Sequence, residues 1–189
     1  MKIRSLAAVV ALVAATSLTT TVLMRLGTTA AADNAPEKGA YAQLSSAMSQ
    51  APEGPEPLLV NMESNDALSG LMHSDKEKPS EIVVKTAGVY FVVAAIQVGK
   101  DSGDSDEYLD VWLNQNGKGV DNSGCRQAVK DPKFTTVLVS QGIAECKAGD
   151  VFTVAIAASS PGKGLGIKAI KPKNEPVIPS IIFSMYKIS

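Results

Sequence analysis

Ala87-Gly88-Val89-Tyr90-Phe91-Val92-Val93-Ala94-Ala95-Ile96-Gln97-Val98 carries no charge and is rich in valine, isoleucine and aromatic side chains. A run of this kind behind a glycine is long enough for a buried strand. Ile82-Val83-Val84 lies just before it and the acidic segment 101–107 just after it. Tyr108-Leu109-Asp110-Val111-Trp112-Leu113 follows, ended by Asn114-Gln115-Asn116-Gly117, a strong hairpin-turn signal. Further along, Thr135-Thr136-Val137-Leu138-Val139, Val151-Phe152-Thr153-Val154-Ala155-Ile156-Ala157 and residues 178–188 repeat the pattern. Leu58-Leu59-Val60 and Leu165-Gly166-Ile167 are weaker strands. After residue 58 no segment sustains a 3.6-residue apolar period with caps. Short strands at close spacing with glycine, asparagine and proline between them predict an all-β sandwich or barrel.

Composition narrows the chemistry. The 189 residues suit one domain with appendages. Eighteen Lys and Arg against nineteen Asp and Glu leave no basic field, so no nucleic-acid partner is expected. The single histidine, His73, removes metal sites that need two histidines and argues against a histidine-centred triad. Two cysteines do not make a four-cysteine zinc site. The expectation is a protein that is not an enzyme.

The N-terminus reads as an export signal. Met-Lys-Ile-Arg gives a positive start, residues 5–24 are uncharged, and Ala30 and Ala32 form an A-x-A site before Asp33. Residues 1–32 are thus expected to be cleaved, which places the protein in the secreted or cell-envelope space. The alternative is an uncleaved membrane anchor, since the run reaches the length a bilayer needs. Residues 33–57, with Pro36, Pro52, Pro55 and Pro57, read as a linker or stalk. Within it Tyr41, Leu44 and Met48 fall on one side of a short helix, a neck at most and a partly helical linker otherwise. The globular head is assigned to residues 58–189.

Cys125 and Cys146 fit a hairpin about Asp131-Pro132-Lys133. Placing them opposite one another also sets Arg126 against Glu145 and Ala128 against Ile143, one charge pair and one apolar pair. A disulfide there would close a loop of about twenty residues and stabilise by roughly 3 kcal/mol, in a compartment where it persists. The alternative is two buried free thiols.

Four motifs in order carry a family resemblance. Ala87-Gly88-Val89-Tyr90-Phe91-Val92 resembles the G-x-Y-x-F strand of the tumour-necrosis-factor and complement-component-1q globular-head superfamily. Val111-Trp112-Leu113-Asn114-Gln115-Asn116-Gly117 resembles its strand ending in Asn-Gly, and Ala148-Gly149-Asp150-Val151-Phe152-Thr153-Val154 its Gly-Asp strand entrance. Pro179-Ser180-Ile181-Ile182-Phe183-Ser184-Met185-Tyr186 resembles its last strand. The similarity spans roughly residues 58–189 and is nearest to bacterial exported members; the collagen repeat is missing and the stalk is short. The resemblance implies a jelly-roll sandwich of two antiparallel five-stranded sheets and a homotrimer about a three-fold axis. Tyr108, Trp112, Phe152, Phe183 and Tyr186 are the candidates for the subunit contact, against the ordinary expectation that an aromatic on a strand is core.

The remaining motifs offer little chemistry. Asp101, Asp104 and Asp106 form an oxygen-rich loop that suits calcium, without EF-hand spacing; a solvated acidic loop is the alternative, and no other cofactor is expected. Gly162-Lys163-Gly164-Leu165-Gly166 lacks the ending of a phosphate loop, and its glycines read as bulges or close backbone approach. Lys168, Lys171 and Lys173 form a small basic cluster. The function expected is a non-enzymatic exported binding or assembly module whose partners are copies of itself and an unidentified protein or glycan ligand. A membrane enters only if the signal stays attached. A subunit or cap of a surface appendage is the second reading, and a hydrolase without a recognisable motif the third.

Overall fold

Alternation of inward and outward side chains, rather than any helical period, organises the chain. The computed structural model describes residues 39–103 and 105–189, and residues 1–38, with the expected signal, lie outside them. Among the described residues thirteen strands follow one another: β1 (Tyr41–Ser46), β2 (Leu58–Leu59), β3 (Ser64–Ser69), β4 (Leu71–Ser74), β5 (Lys78–Val84), β6 (Gly88–Gly99), β7 (Glu107–Gln115), β8 (Lys118–Gly119), β9 (Cys125–Val129), β10 (Thr136–Cys146), β11 (Val151–Ala158), β12 (Gly166–Ile167) and β13 (Ile181–Lys187). Among the described residues no helix is long and apolar enough to cross a membrane.

The first sheet runs β10-β6-β13-β1-β3, with the two-residue β12 on the end of β6. The second runs β4-β5-β11-β7, with β9 and β8 along the far side of β7 and β2 beside β11. All pairings are antiparallel. Each sheet therefore has five columns of strand, the jelly-roll sandwich expected, with short strands extending three of the columns. The chain crosses between sheets from β1 to β2, β2 to β3, β3 to β4, β5 to β6, β6 to β7, β9 to β10, β10 to β11 and β11 to β12.

The inner faces close on one core. Leu44, Tyr90, Ile96, Ile181, Phe183 and Met185 come from the first sheet and Ile82, Leu109, Leu113, Phe152, Val154 and Ile156 from the second, all without exposure. Burying each such side chain stabilises by about 1.5–3 kcal/mol. Tyr90 is buried with its hydroxyl donating to the Thr86 carbonyl at 2.8 Å. The Asn116-Gly117 turn is as expected: φ is 54° and 76°, and Gln115 pairs with Lys118.

Two expectations fail. Residues 39–57 are not a stalk. β1 lies inside the first sheet, hydrogen-bonded to β13 on one side and β3 on the other. Ala42, Leu44 and Ser46 face the core while Tyr41 and Gln43 face out, a period of two that overrides the weak helical spacing of Tyr41, Leu44 and Met48. The segment beyond is held as well, since Gln50 and Ile167 exchange backbone hydrogen bonds of 2.8 and 2.9 Å and Gly162 donates to Pro52. The compact unit runs from Lys38 to Ser189, and the boundary at residue 58 is superseded.

The disulfide is the second. Both cysteines are free. β9 pairs with β7 and β10 with β6, so the strands that carry Cys125 and Cys146 belong to different sheets. Cys125 Sγ lies 3.3 Å from the Val139 carbonyl oxygen. Val139 and Cys146 stand seven residues apart on β10, about 23 Å along a strand, beyond the reach of a disulfide.

Candidate functional site

The outward side of the first sheet is where the sandwich departs from the usual polar exterior. β6 is apolar on both faces: Tyr90, Val92, Ala94, Ile96 and Val98 point inward, and Val89, Phe91, Val93 and Ala95 point outward. Its neighbours extend this outer face in transverse rows. One row reads Val139, Ala95, Ile182 and Ser45 across β10, β6, β13 and β1. The next reads Gln141, Val93, Ser184 and Gln43. The third reads Ile143, Phe91, Tyr186 and Tyr41. Its centre is an aromatic pair, the Phe91 and Tyr186 rings tilted at 58° with centroids 5.5 Å apart.

These side chains meet solvent. Ile143 is 63% exposed, Val137 58%, and Tyr41 and Tyr186 46% each, with Val139 and Ile182 close behind. Charge sits at one end of the face, at Glu145. Four columns at strand spacing are about 14 Å between outer axes, and residues 137–145 rise about 27 Å along β10. An apolar patch of that order matches the largest one found on ordinary monomers, which is often a functional surface.

The five aromatic candidates are divided by the sandwich. Tyr186 lies on this face. Phe152 and Phe183 are fully buried between the sheets and belong to the core, because both sit at inward positions of the alternation. Tyr108 and Trp112 lie on the outer face of the second sheet. There Arg126 makes a forked pair with Asp110, Nε to Oδ1 at 2.6 Å and Nη2 to Oδ2 at 2.8 Å, and its guanidinium lies 5.4 Å from the centre of the Tyr108 ring. The Trp112 indole donates to Asn114 Oδ1 at 2.9 Å. That face satisfies its polar groups locally. The residues that sequence reasoning passed over are Tyr41, Phe91, Val137, Val139, Ile143 and Ile182. Their signal was present in strands apolar at consecutive positions, which one buried face does not require.

The polar candidates have structural partners. The Asp101 carboxylate takes Lys168 Nζ at 2.6 Å. Asp106 is exposed, and Asp104 lies outside the described residues. Among the described residues no three His, Cys, Asp or Glu side chains come together as a metal site. His73 has Nδ1 2.7 Å from Asn65 Oδ1 and Nε2 3.1 Å from the Pro79 carbonyl, so both ring nitrogens tie β4 to its neighbours. Lys171 and Lys173 are exposed.

One buried ion pair was not anticipated. Lys100 Nζ donates to the Ser105 carbonyl at 2.7 Å and to Glu107 Oε2 at 3.2 Å, with the lysine side chain fully enclosed. It closes the base of the acidic loop. Burial raises the Glu107 carboxyl, but hydrogen bonds from Lys100 and Ser160 and the charges of Lys100 and Lys163 outweigh it and hold the group low. Asp150 is held low by hydrogen bonds from the Asn116 side chain, the Lys147 backbone and the Gln115 side chain.

No protein-family model and no curated protein matches this chain.

Proposed function

We propose that this protein is an exported, non-enzymatic assembly and binding module whose jelly-roll head forms a homotrimer through the outer face of its first sheet. The observation that carries this reading is the neutral apolar face of Val137, Val139, Ile143, Phe91, Ile182, Tyr186 and Tyr41. A closed cyclic assembly uses one such face in every copy and leaves none exposed. The resemblance to the tumour-necrosis-factor and complement-component-1q superfamily supports the three-fold count and exported location. Two sheets of five columns agree with it. The loops at the ends of the sandwich would then be free for a protein or glycan ligand of the cell exterior.

Sedimentation of two single variants, each monitored by circular dichroism, tests the surface. Ile143→Asp buries a charge in the contact and gives folded monomers, since an unpaired buried charge costs several kcal/mol. Tyr108→Asp lies on the other sheet and leaves the trimer intact. The opposite pattern, with Tyr108→Asp dissociating the assembly and Ile143→Asp not, overturns the choice of face.

A further inference from the structure

β10 is the end column of the first sheet and pairs with β6 alone. In an antiparallel pair the N–H and C=O of one residue point the same way, and the direction alternates along the strand. Gln97 donates its N–H to the Ser180 carbonyl and accepts from the Lys168 N–H, so the odd-numbered residues of β6 point towards β13 and β12. The even-numbered ones bond β10, through its own even-numbered residues. The backbone groups of Val137, Val139, Gln141, Ile143 and Glu145 therefore face away from the sheet. Two contacts agree: the Glu145 carbonyl accepts from Gln115 Nε2 at 2.9 Å, and the Val139 carbonyl from Cys125 Sγ at 3.3 Å. The five N–H groups, and the carbonyls of Val137, Gln141 and Ile143, have no hydrogen-bond partner among the described residues. Sheets blunt such edges with charges, prolines, bulges or short strands. β3 slips register against β1, β4 has four residues and slips against β5, and β8 and β9 are short. β10 has none of these devices from Thr136 to Ala144, and it keeps register with β6 throughout.

We infer that β10 receives an extended peptide segment of a partner protein as an added strand. The free groups repeat every second residue, about 6.8 Å apart, and an extended backbone offers donors and acceptors at that same repeat. Side chains of an added strand alternate between its two sides. Those on one side continue the outer face beside Val139 and Ile143, which selects apolar residues. Those on the other side lie towards a cleft of about 500 Å³ that opens beside Ile143 and Ala144. The β7–β8 hairpin and the turn after it line that cleft with Gln115, Lys118, Val120 and Asp121, which selects polar residues. The partner is thus a segment of alternating apolar and polar side chains, held mainly through its backbone. Self-association was assigned above to side chains of the outer face, so the two contacts are tested separately.

Amide hydrogen exchange, read residue by residue by NMR on the full chain purified from the exported fraction, tests the edge. In the free protein the N–H groups of Val139, Gln141 and Ile143 exchange fast, while those of Leu138, Ser140 and Gly142 are protected. Protection of the first set in the free protein places a second copy or another part of the chain on the edge and overturns the added strand. A displayed library of random peptides of about ten residues, enough to span residues 137–145, is then selected on the same protein. The enriched peptide, added at saturation, protects the edge amides. Methylating alternate backbone nitrogens of that peptide weakens binding at least about tenfold when the methylated set faces β10, and changes it little when the set faces away. Gln141→Pro removes an N–H that the ladder to β6 does not use, so circular dichroism stays native while peptide binding falls. Gln141→Ala keeps the backbone and binds as the wild type does. If the proline variant does not fold, the two methylated peptides decide. No enriched peptide, an enriched peptide that leaves the edge amides exchanging, or binding indifferent to which set is methylated overturns the added strand.

Discussion

The two cysteines differ in what surrounds their sulfur. Cys146 is buried, and burial first, then the nearby Asp150 charge, pushes its thiol up to about 11. Cys125 is half-buried, with its sulfur turned to the Val139 carbonyl. Native protein without reductant should take one alkylating label, at Cys125, and a second at Cys146 only on unfolding. Mass mapping that finds neither thiol labelled until a reductant is added would restore the disulfide. Lys100 and Glu107 belong to the same scale. Lys100→Met leaves the Glu107 carboxylate enclosed without its partner and should cost about 3–5 kcal/mol in denaturant unfolding. Glu107 and Asp150 both sit below the ordinary carboxylate range when folded. The folded state then binds fewer protons than the unfolded chain in acid. Their stabilisation is complete above the unfolded pKa of about 4 and is lost as pH falls below it. Asp150→Asn should lower stability at neutral pH and flatten that acid loss; an unchanged acid slope would remove Asp150 from the account.

At the scale of elements, the readable strands were those with dense β-branched and aromatic residues. β6, β7, β11 and β13 announce themselves in this way, and the Asn116-Gly117 turn names its own geometry. The glycine segment was legible too: Gly162 and Gly164 take positive φ, and a side chain at Gly166 would run into the Gln50 carbonyl. β1 was not legible, because its inward residues Ala42, Leu44 and Ser46 include one large apolar side chain, and prolines nearby imitate a linker. Its strand character comes from the partners on either side, which local composition does not reveal. A turn does form about Asp131-Pro132-Lys133, with Phe134 donating to the Asp131 carbonyl, but the hairpin expected around it does not. The turn joins two sheets instead, and two favourable cross-strand pairs could not distinguish these outcomes. Leu44→Ala should therefore cost about 2–5 kcal/mol by opening a cavity in the core. Deleting residues 39–57 should prevent folding. If these residues were a stalk, both variants would melt like the wild type, which a thermal scan decides.

For the whole molecule, the sequence carried the sandwich and the family resemblance but hid the apolar outer face on which the proposed assembly rests. Of the five aromatic residues singled out for the contact, Tyr186 lies on that face. The others fall in the core or on the second sheet, because an aromatic on a strand declares only its burial tendency and not its side of the pleat. The face became visible when registers aligned Ile143, Phe91, Tyr186 and Tyr41 in one row. The molar mass of the exported wild-type protein, measured by light scattering as it elutes at micromolar concentration, tests the self-association most directly. Three times the mass of one chain is the predicted result, and the mass of a single chain would contradict it.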